Sequence, residues 1–493
     1  MKAVNDINCF INNSYLTFNL IASKNTPKVV LMLIIYLYFK QKNMFYSTNP
    51  YTGKQIAAYD YDTTQSLKNK LEVCDEAFSV WSSLNVNERA LQIKSIGEVL
   101  NKYKGEAAKV MTEEMGKPIS ESIAEVEKCI TLCDYYTRVG PDFLNDKNIK
   151  TSVKESYVTY APIGVILGIM PWNFPFWQVF RFIIPTLLAG NSVVIKHALN
   201  VPASALLIEK IINEALSVEN AYVNLFAKNR VTEHTIANKI IKGVSLTGSV
   251  KAGKAVAAAA GKVLKPVVLE LGGSNALIIF EDADIESSAE ACIKSRFQNN
   301  GQSCIAGKRL LVHEKIQTKF IEVLLDKVRA LKVGDPTHSD TQISVLAKRE
   351  FVMDLEQQLD ISVDEGALIL IGGNNKSYSF EPTVLRDVTP DMAIFKEETF
   401  GPVLSVTTFK DEKEAIELAN NTEFGLGVSL FSKDTDRMKS LVTKFNDGAV
   451  FINSFVKSIP ELPFGGSKNS GIGRELAEEG LKAFVNIKTV VVE

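Results

Sequence analysis

Histidine is scarce in this chain, with four in 493 residues, and His197, His234, His313 and His338 form no His-xxx-His pair. A two-histidine metal site on one helix face is thereby excluded. Cysteine is thin as well. Cys9, Cys74, Cys129, Cys133, Cys292 and Cys304 are too few and too scattered for a disulfide framework, which points to a reducing, cytoplasmic setting. Cys129 and Cys133 stand four apart on an expected helix and read as packing, because metal binding would need further ligands. Neither sign of charge is in excess. With 55 basic and 57 acidic residues the formal net charge is -2, so nothing electrostatic argues for nucleic acid or an anionic membrane. The apolar run from Val29 to Phe39 falls short of the roughly 20 residues a spanning helix needs. It ends in Lys40-Gln41-Lys42 with no small-residue cleavage pattern. No firm membrane association is expected, and residues 1–43 are read as a poorly ordered or mis-assigned extension ahead of Met44.

What is present is a chain with 46% hydrophobic and 23% charged residues, too long for one core, so two or three domains are expected. Helical spacing runs through Leu67, Leu71, Cys74, Phe78 and Trp81, then Leu91, Ile96, Val99, Leu100 and Tyr103. After Gly116-Lys117-Pro118 a third face follows through Ile123, Val126, Ile130 and Cys133. These helices read as scaffold. From Ser156 the texture changes to short strands alternating with helices. Strands are expected at 156–160, 163–170, 192–196, 222–226, 244–246 and 267–271, with helices between them from Pro202 to about Leu216, at about Glu233 to Ile241, and in the alanine-rich stretch after Gly253. That alternation predicts a parallel, doubly wound sheet, in which ligands sit beyond the C-terminal strand ends. Met170 to Asn173, Lys196 and Gly248-Ser249 all fall at such ends and converge on one crevice. Gly248-Ser249-x-x-x-Gly253 puts a glycine and a hydroxyl at a helix N-terminus, suited to a phosphate, although a plain tight turn explains it about as well.

The second half alternates less cleanly and predicts a second α/β domain facing the first. Its tail, Phe484 to Val492, is β-prone, an edge strand that invites another subunit. Between the halves lies Phe297-Gln298-Asn299-Asn300-Gly301-Gln302-Ser303-Cys304, a run that favours a loop because Asn, Gly and Ser offer the backbone alternatives to a helix. A cysteine there is either a nucleophile working as its thiolate or a buried structural residue. Glu270 interrupts an apolar strand before Leu271-Gly272-Gly273. Partial desolvation would raise its pKa and suit it to general-base work, unless a cation such as Lys265 pairs with it. Asn173, between Trp172 and Phe174, offers an amide to a developing oxyanion, or forms an Asx turn.

Several of these stretches together resemble the aldehyde dehydrogenase superfamily. They are Phe297 to Cys304, Leu269 to Gly273, Met170 to Phe174, Glu397-Glu398-Thr399-Phe400-Gly401-Pro402 and Pro463-Phe464-Gly465-Gly466, in the family's order and spacing from about Asn49 onward. Met170 to Gln178 and Lys196-His197-Ala198-x-Asn200-Val201 look most like bacterial NAD(P)-dependent succinate-semialdehyde dehydrogenases. The resemblance implies Cys304 as nucleophile, forming a thiohemiacetal and then a thioester, Asn173 and the Cys304 N–H as oxyanion donors, and Glu270 as the base that activates water. It implies NAD or NADP held by Trp172, Lys196, Gly248, Ser249, Leu271, Glu398 and Phe400, with no metal. The implied architecture is a Rossmann-like cofactor domain over 44–269, carrying an oligomerisation hairpin at about 151–160, and an α/β catalytic domain over 270–447. A return segment and C-terminal oligomerisation strand over 448–493 complete it, as a homodimer or homotetramer.

Two departures matter. Where many NAD-preferring relatives carry a glutamate three positions after the lysine, Leu199 stands here, so a 2′-phosphate meets no like charge and both cofactors are expected. Better-known relatives grip the succinate carboxylate with two arginines and a serine. Arg181 matches one arginine, Gln298 holds the place of the other, and Ser458 is the candidate serine. The expected reaction is oxidation of succinic semialdehyde to succinate. The alternatives are another small aliphatic or aromatic aldehyde, with Trp177 and Phe455 at the entrance, or an idle binding or structural relative.

Overall fold

In a computed structural model, residues 43–493 are described, and the expectation for residues 1–43 lies outside them apart from Asn43. Two large sheets organise the chain. The first has six strands in the order Gly471–Ile472, Val267–Glu270, Ile241–Thr247, Val165–Met170, Ser192–His197 and Tyr222–Leu225. All neighbours are parallel except the first pair. Val165–Met170, earliest in sequence, sits inside the sheet, with the next two strands on one side and the following two on the other. The strand order therefore reverses between Val165–Met170 and Ile241–Thr247, where a parallel sheet leaves its ligand crevice. Pro171-Trp172-Asn173 and Gly248-Ser249 leave the two strands at that point.

The second sheet has seven strands, parallel but for the edge strand Leu368–Ile371. It starts at Asn275–Ile279 and ends in Val450–Ile452, so it takes in residues beyond the expected boundary at 447, while Gly471–Ile472 returns to the first sheet. A limit drawn along the chain leaves out the strand beyond 447, because strand pairing is non-local, while Gly471–Ile472 lies within the expected return segment. A three-stranded antiparallel sheet joins Val485–Val492, Glu155–Pro162 and Lys147–Asn148. The C-terminal strand is thus paired within its own chain on one side, with its other edge open among the described residues.

Local chemistry explains the elements around the crevice. Helix Trp177–Leu188 buries every side chain, as a helix apolar all round must, and its first turn is held from outside. Glu125 accepts from the N–H groups of Phe176 (2.8 Å) and Trp177 (2.9 Å), satisfying donors that helix N-termini leave open. The expected helix at Glu233 to Ile241 is displaced: it spans Asn229–Ala237, and Ile241 opens a strand. Asn238 causes the break, its Oδ1 accepting from Ile240 N in an Asx turn. Among the described residues, no helix is long and apolar enough to cross a membrane, and no group of three or more His, Cys, Asp or Glu is placed to hold a metal ion.

Candidate active site

The cysteine loop is built by three consecutive left-handed residues. Helix Ile285–Phe297 ends, and Asn299, Asn300 and Gly301 take φ values of 55°, 53° and 73°. Asparagine tolerates that region through short side-chain hydrogen bonds, and glycine at no steric cost. A side chain at Gly301 would also run into the Gly401 carbonyl. Asn300 is tied to Val345 O (2.9 Å) and Ser344 N (2.7 Å), and Asn299 to Asn173 O (2.7 Å). The loop is pinned on both sides, and Cys304 leaves it half-buried.

Cys304 lines two cavities at once. One, of about 270 Å³, runs past Trp172, Asn173, Gly248, Ser249, Leu271, Glu398 and Phe400. The other, of about 320 Å³, lies on the far side of the sulfur and is lined by Lys128, Trp177, Arg181, Gln298, Phe455 and Ser458 among others. A third cavity, of about 720 Å³, holds Lys196 and Asn229 and shares Ser249 with the first, so a crevice continues from Lys196 to the thiol. Apart from Glu270, which is buried behind them, the predicted site residues thus divide into a crevice group and a pocket group that meet at Cys304.

Asn173 is buried and donates from Nδ2 to Gln302 O at 3.0 Å, which occupies one of its two N–H bonds and leaves the other. Glu270 ends the strand Val267–Glu270, is 1% exposed, and neither carboxyl oxygen has a hydrogen-bond partner. Lys265 is not its partner; that lysine donates to the Ile236 and Asn238 carbonyls instead. Burial pushes the Glu270 carboxyl well above the ordinary range, with Arg181 opposing and Glu475 adding to the rise. Burial likewise pushes the Cys304 thiol up to about 11 against the pull of Arg181 and Lys308, while Glu398 and Glu270 raise it further. Alkylation of Cys304 in the free protein should therefore rise about tenfold per pH unit from pH 7 to 10. A plateau already near neutrality would contradict the buried, proton-bearing thiol.

Two contributors were not singled out in the sequence. Lys308, fully buried, donates to Ser303 O (3.0 Å) and Cys304 O (2.9 Å) and pairs with Glu398 at 3.2 Å. It fixes the Cys304 carbonyl and the carboxylate expected at the nicotinamide ribose in one stroke. Glu398 also accepts from Gly273 N at 2.9 Å, and a Cβ on Gly272 would stand 2.5 Å from its Oε2, so the Leu-Gly-Gly run admits the carboxylate. The signal was a pair of cations, Lys308-Arg309, opening a wholly buried strand. The second contributor is Lys128, on a helix read as scaffold. Arg181 lines the pocket as expected of it, with its guanidinium already engaged: it pairs with Glu475, donates to Thr247 Oγ1 (3.2 Å) and stacks over Phe464 at 4.6 Å.

The chain belongs to the aldehyde dehydrogenase family, whose model matches residues 38–490. Among curated proteins it is 40% identical to the succinate semialdehyde dehydrogenase [NAD(P)+] Sad of Escherichia coli, over 90% of this chain and 97% of that one. It is also 40% identical to a probable succinate-semialdehyde dehydrogenase [NADP(+)] of Synechocystis, over 90% and 98%. Among solved structures, succinic semialdehyde dehydrogenase from Streptococcus pyogenes in complex with NADP+ superposes with a TM-score of 0.89 at 36% identity, covering 91% of this chain and 100% of that one.

Proposed function

We propose that the chain oxidises succinic semialdehyde to succinate with NAD or NADP as hydride acceptor. The observation that carries this reading is Cys304 at the junction of a nucleotide-type crevice and a pocket holding two cations, Lys128 and Arg181. Cys304 gives up its thiol proton to solvent and attacks the aldehyde carbon as the thiolate, and the oxyanion of the thiohemiacetal takes the remaining Asn173 N–H and the Cys304 backbone N–H. The bound nicotinamide supplies the hydride acceptor that turns this adduct into a thioester. Glu270, its basicity raised by burial, then takes a proton from water as the water attacks the thioester, and the carbon–sulfur bond breaks to release the acid and the Cys304 thiolate. The relatives' names favour succinic semialdehyde over other aldehydes. The rival reading, a less polar aldehyde, draws on Trp177 and Phe455 in the same pocket. Initial rates with succinic semialdehyde and butyraldehyde against both cofactors test it: a preference for butyraldehyde would sink the acid-substrate reading.

The crevice fits a dinucleotide by its donors. Ser249 caps helix Val250–Gly261 at the phosphate end, and Lys196 reaches the adenosine end, hydrogen-bonded to Asn229 Oδ1 at 3.2 Å. Leu199 packs with Phe45, Ala205 and Phe226, so that position presents no carboxylate to a 2′-phosphate. Leu199→Glu is expected to lower kcat/KM for NADP by about 10- to 100-fold relative to NAD. An unchanged ratio from cofactor titrations would remove Leu199 from cofactor choice. We further propose a cytoplasmic homodimer or homotetramer that assembles through the open edge of Val485–Val492, where Ile487 and Val491 are 62% and 52% exposed.

A further inference from the structure

The pocket behind Cys304 ends in a group of donors that converge on a single serine oxygen. Lys128, on helix Ile119–Phe143, is half-buried there and donates from Nζ to Ser458 Oγ at 2.8 Å. The indole Nε1 of Trp177 donates to the same oxygen at 3.1 Å, and the Lys128 ammonium lies 3.9 Å from the centre of that indole. A serine hydroxyl has two acceptor positions and one donor. Both acceptor positions on Ser458 are taken, and no acceptor among the described residues takes its hydroxyl hydrogen. Lys128 has used one of three N–H bonds and forms no ion pair among the described residues. The nearby carboxylates are committed elsewhere. Glu125 pairs with Lys117 and caps the helix at Phe176 and Trp177, and Glu121 accepts from Asn299 N at 2.7 Å. Arg181, the other cation of the pocket, is held by Glu475, Thr247 and Phe464.

A desolvated cation without an anion is costly, and burial together with the Arg181 charge lowers the Lys128 pKa to about 7. That cost is offset when an anion arrives. We infer that Lys128 joins Ser458, the serine already expected there, as the receptor for the substrate's remote carboxylate, while Arg181 acts as a positioning residue that holds Glu475 within electrostatic reach of Glu270. This rests on the acid-terminated aldehyde proposed above and names the residues that select it. The carboxylate accepts the spare N–H bonds of Lys128 and the hydroxyl hydrogen of Ser458, a charge-assisted pair of contacts that an uncharged aldehyde of similar length cannot make.

The experiment is the ratio of kcat/KM for succinic semialdehyde to that for butyraldehyde, with succinate as an inhibitory probe of butyraldehyde oxidation. In Lys128→Met the ratio is expected to fall about 100-fold, carried by KM rather than kcat, with succinate inhibition lost in parallel. Lys128→Arg should recover most of the ratio. If the native protein has the preference and Lys128→Met keeps it, the inference is overturned, and Arg181→Ala losing it would move the receptor there. Equal losses on both aldehydes in Lys128→Met would also overturn it, assigning the lysine to packing. If the native protein has no preference, the acid-substrate reading itself falls, a different result from either. Should Lys128→Met not fold, Ser458→Ala removes the free donor together with the oxygen that Lys128 and Trp177 share; about a tenfold lower ratio is expected, and an unchanged ratio counts against the inference.

Discussion

Glu270→Gln is expected to permit one turnover and block those that follow. Rapid mixing with aldehyde and cofactor should give a burst of reduced cofactor close to one per active site, followed by a steady state about 10³-fold slower than in the native protein. The physical basis is the placement of the carboxyl at the end of Val267–Glu270, 1% exposed and with both oxygens lacking a partner. A buried structural carboxylate would have its charge paired or its lone pairs filled, as Glu114 does with Ser47, Ala203 and Ser204. Glu270 has neither, and burial makes it a stronger base than an exposed glutamate. The base works deprotonated, so deacylation should slow as pH falls through its raised pKa. Glutamine keeps the shape and removes the proton acceptor. A lost burst would move Glu270 to an earlier step, activation of the thiol. An unchanged steady state would leave it a structural residue.

Cys304→Ala should lower the steady-state rate by at least about 10⁴-fold with either cofactor and remove the burst as well, since no carbon–sulfur bond can form. Cofactor binding, followed by quenching of protein fluorescence, should persist, because Lys196, Ser249 and Glu398 are held by Asn229, Ala252 and Lys308 rather than by the sulfur. The other described cysteines supply the control. Cys74, Cys129, Cys133 and Cys292 are fully buried, and burial raises every one of their thiols. Iodoacetamide should therefore label Cys304 ahead of those four. Residual activity above about 1% in Cys304→Ala would require another nucleophile and would break the proposed chemistry at its first step.

Much of this molecule is legible in the residue string, for local reasons. Short apolar runs alternating with helical periods dictate parallel strands joined by crossovers, since those patterns bury their apolar faces only that way. The run Asn299-Asn300-Gly301 holds the residues that accept left-handed backbone, and the structure bends there to deliver Cys304. Strand ends carry Asn173, Lys196 and Gly248-Ser249, so their convergence follows from the rule of the doubly wound sheet. Helix limits shifted where one side chain, Asn238, overrode the periodicity.

The pairing of charged and polar side chains across distance was not legible, although the resemblance implied that the C-terminal strand pairs with the hairpin at about 151–160, as Val485–Val492 does. Lys128 meets Ser458 at 330 positions' separation, and Lys308 meets Glu398 at 90. Arg181, a plausible carboxylate clamp when read alone, is occupied by Glu475 only because Gly471–Ile472 folds back beside Val267–Glu270 and brings its neighbour with it. Hydrophobic period and turn chemistry act over a few residues and so appear in the order of the amino acids. Which charge neutralises which depends on three-dimensional approach and burial, and no local pattern encodes it.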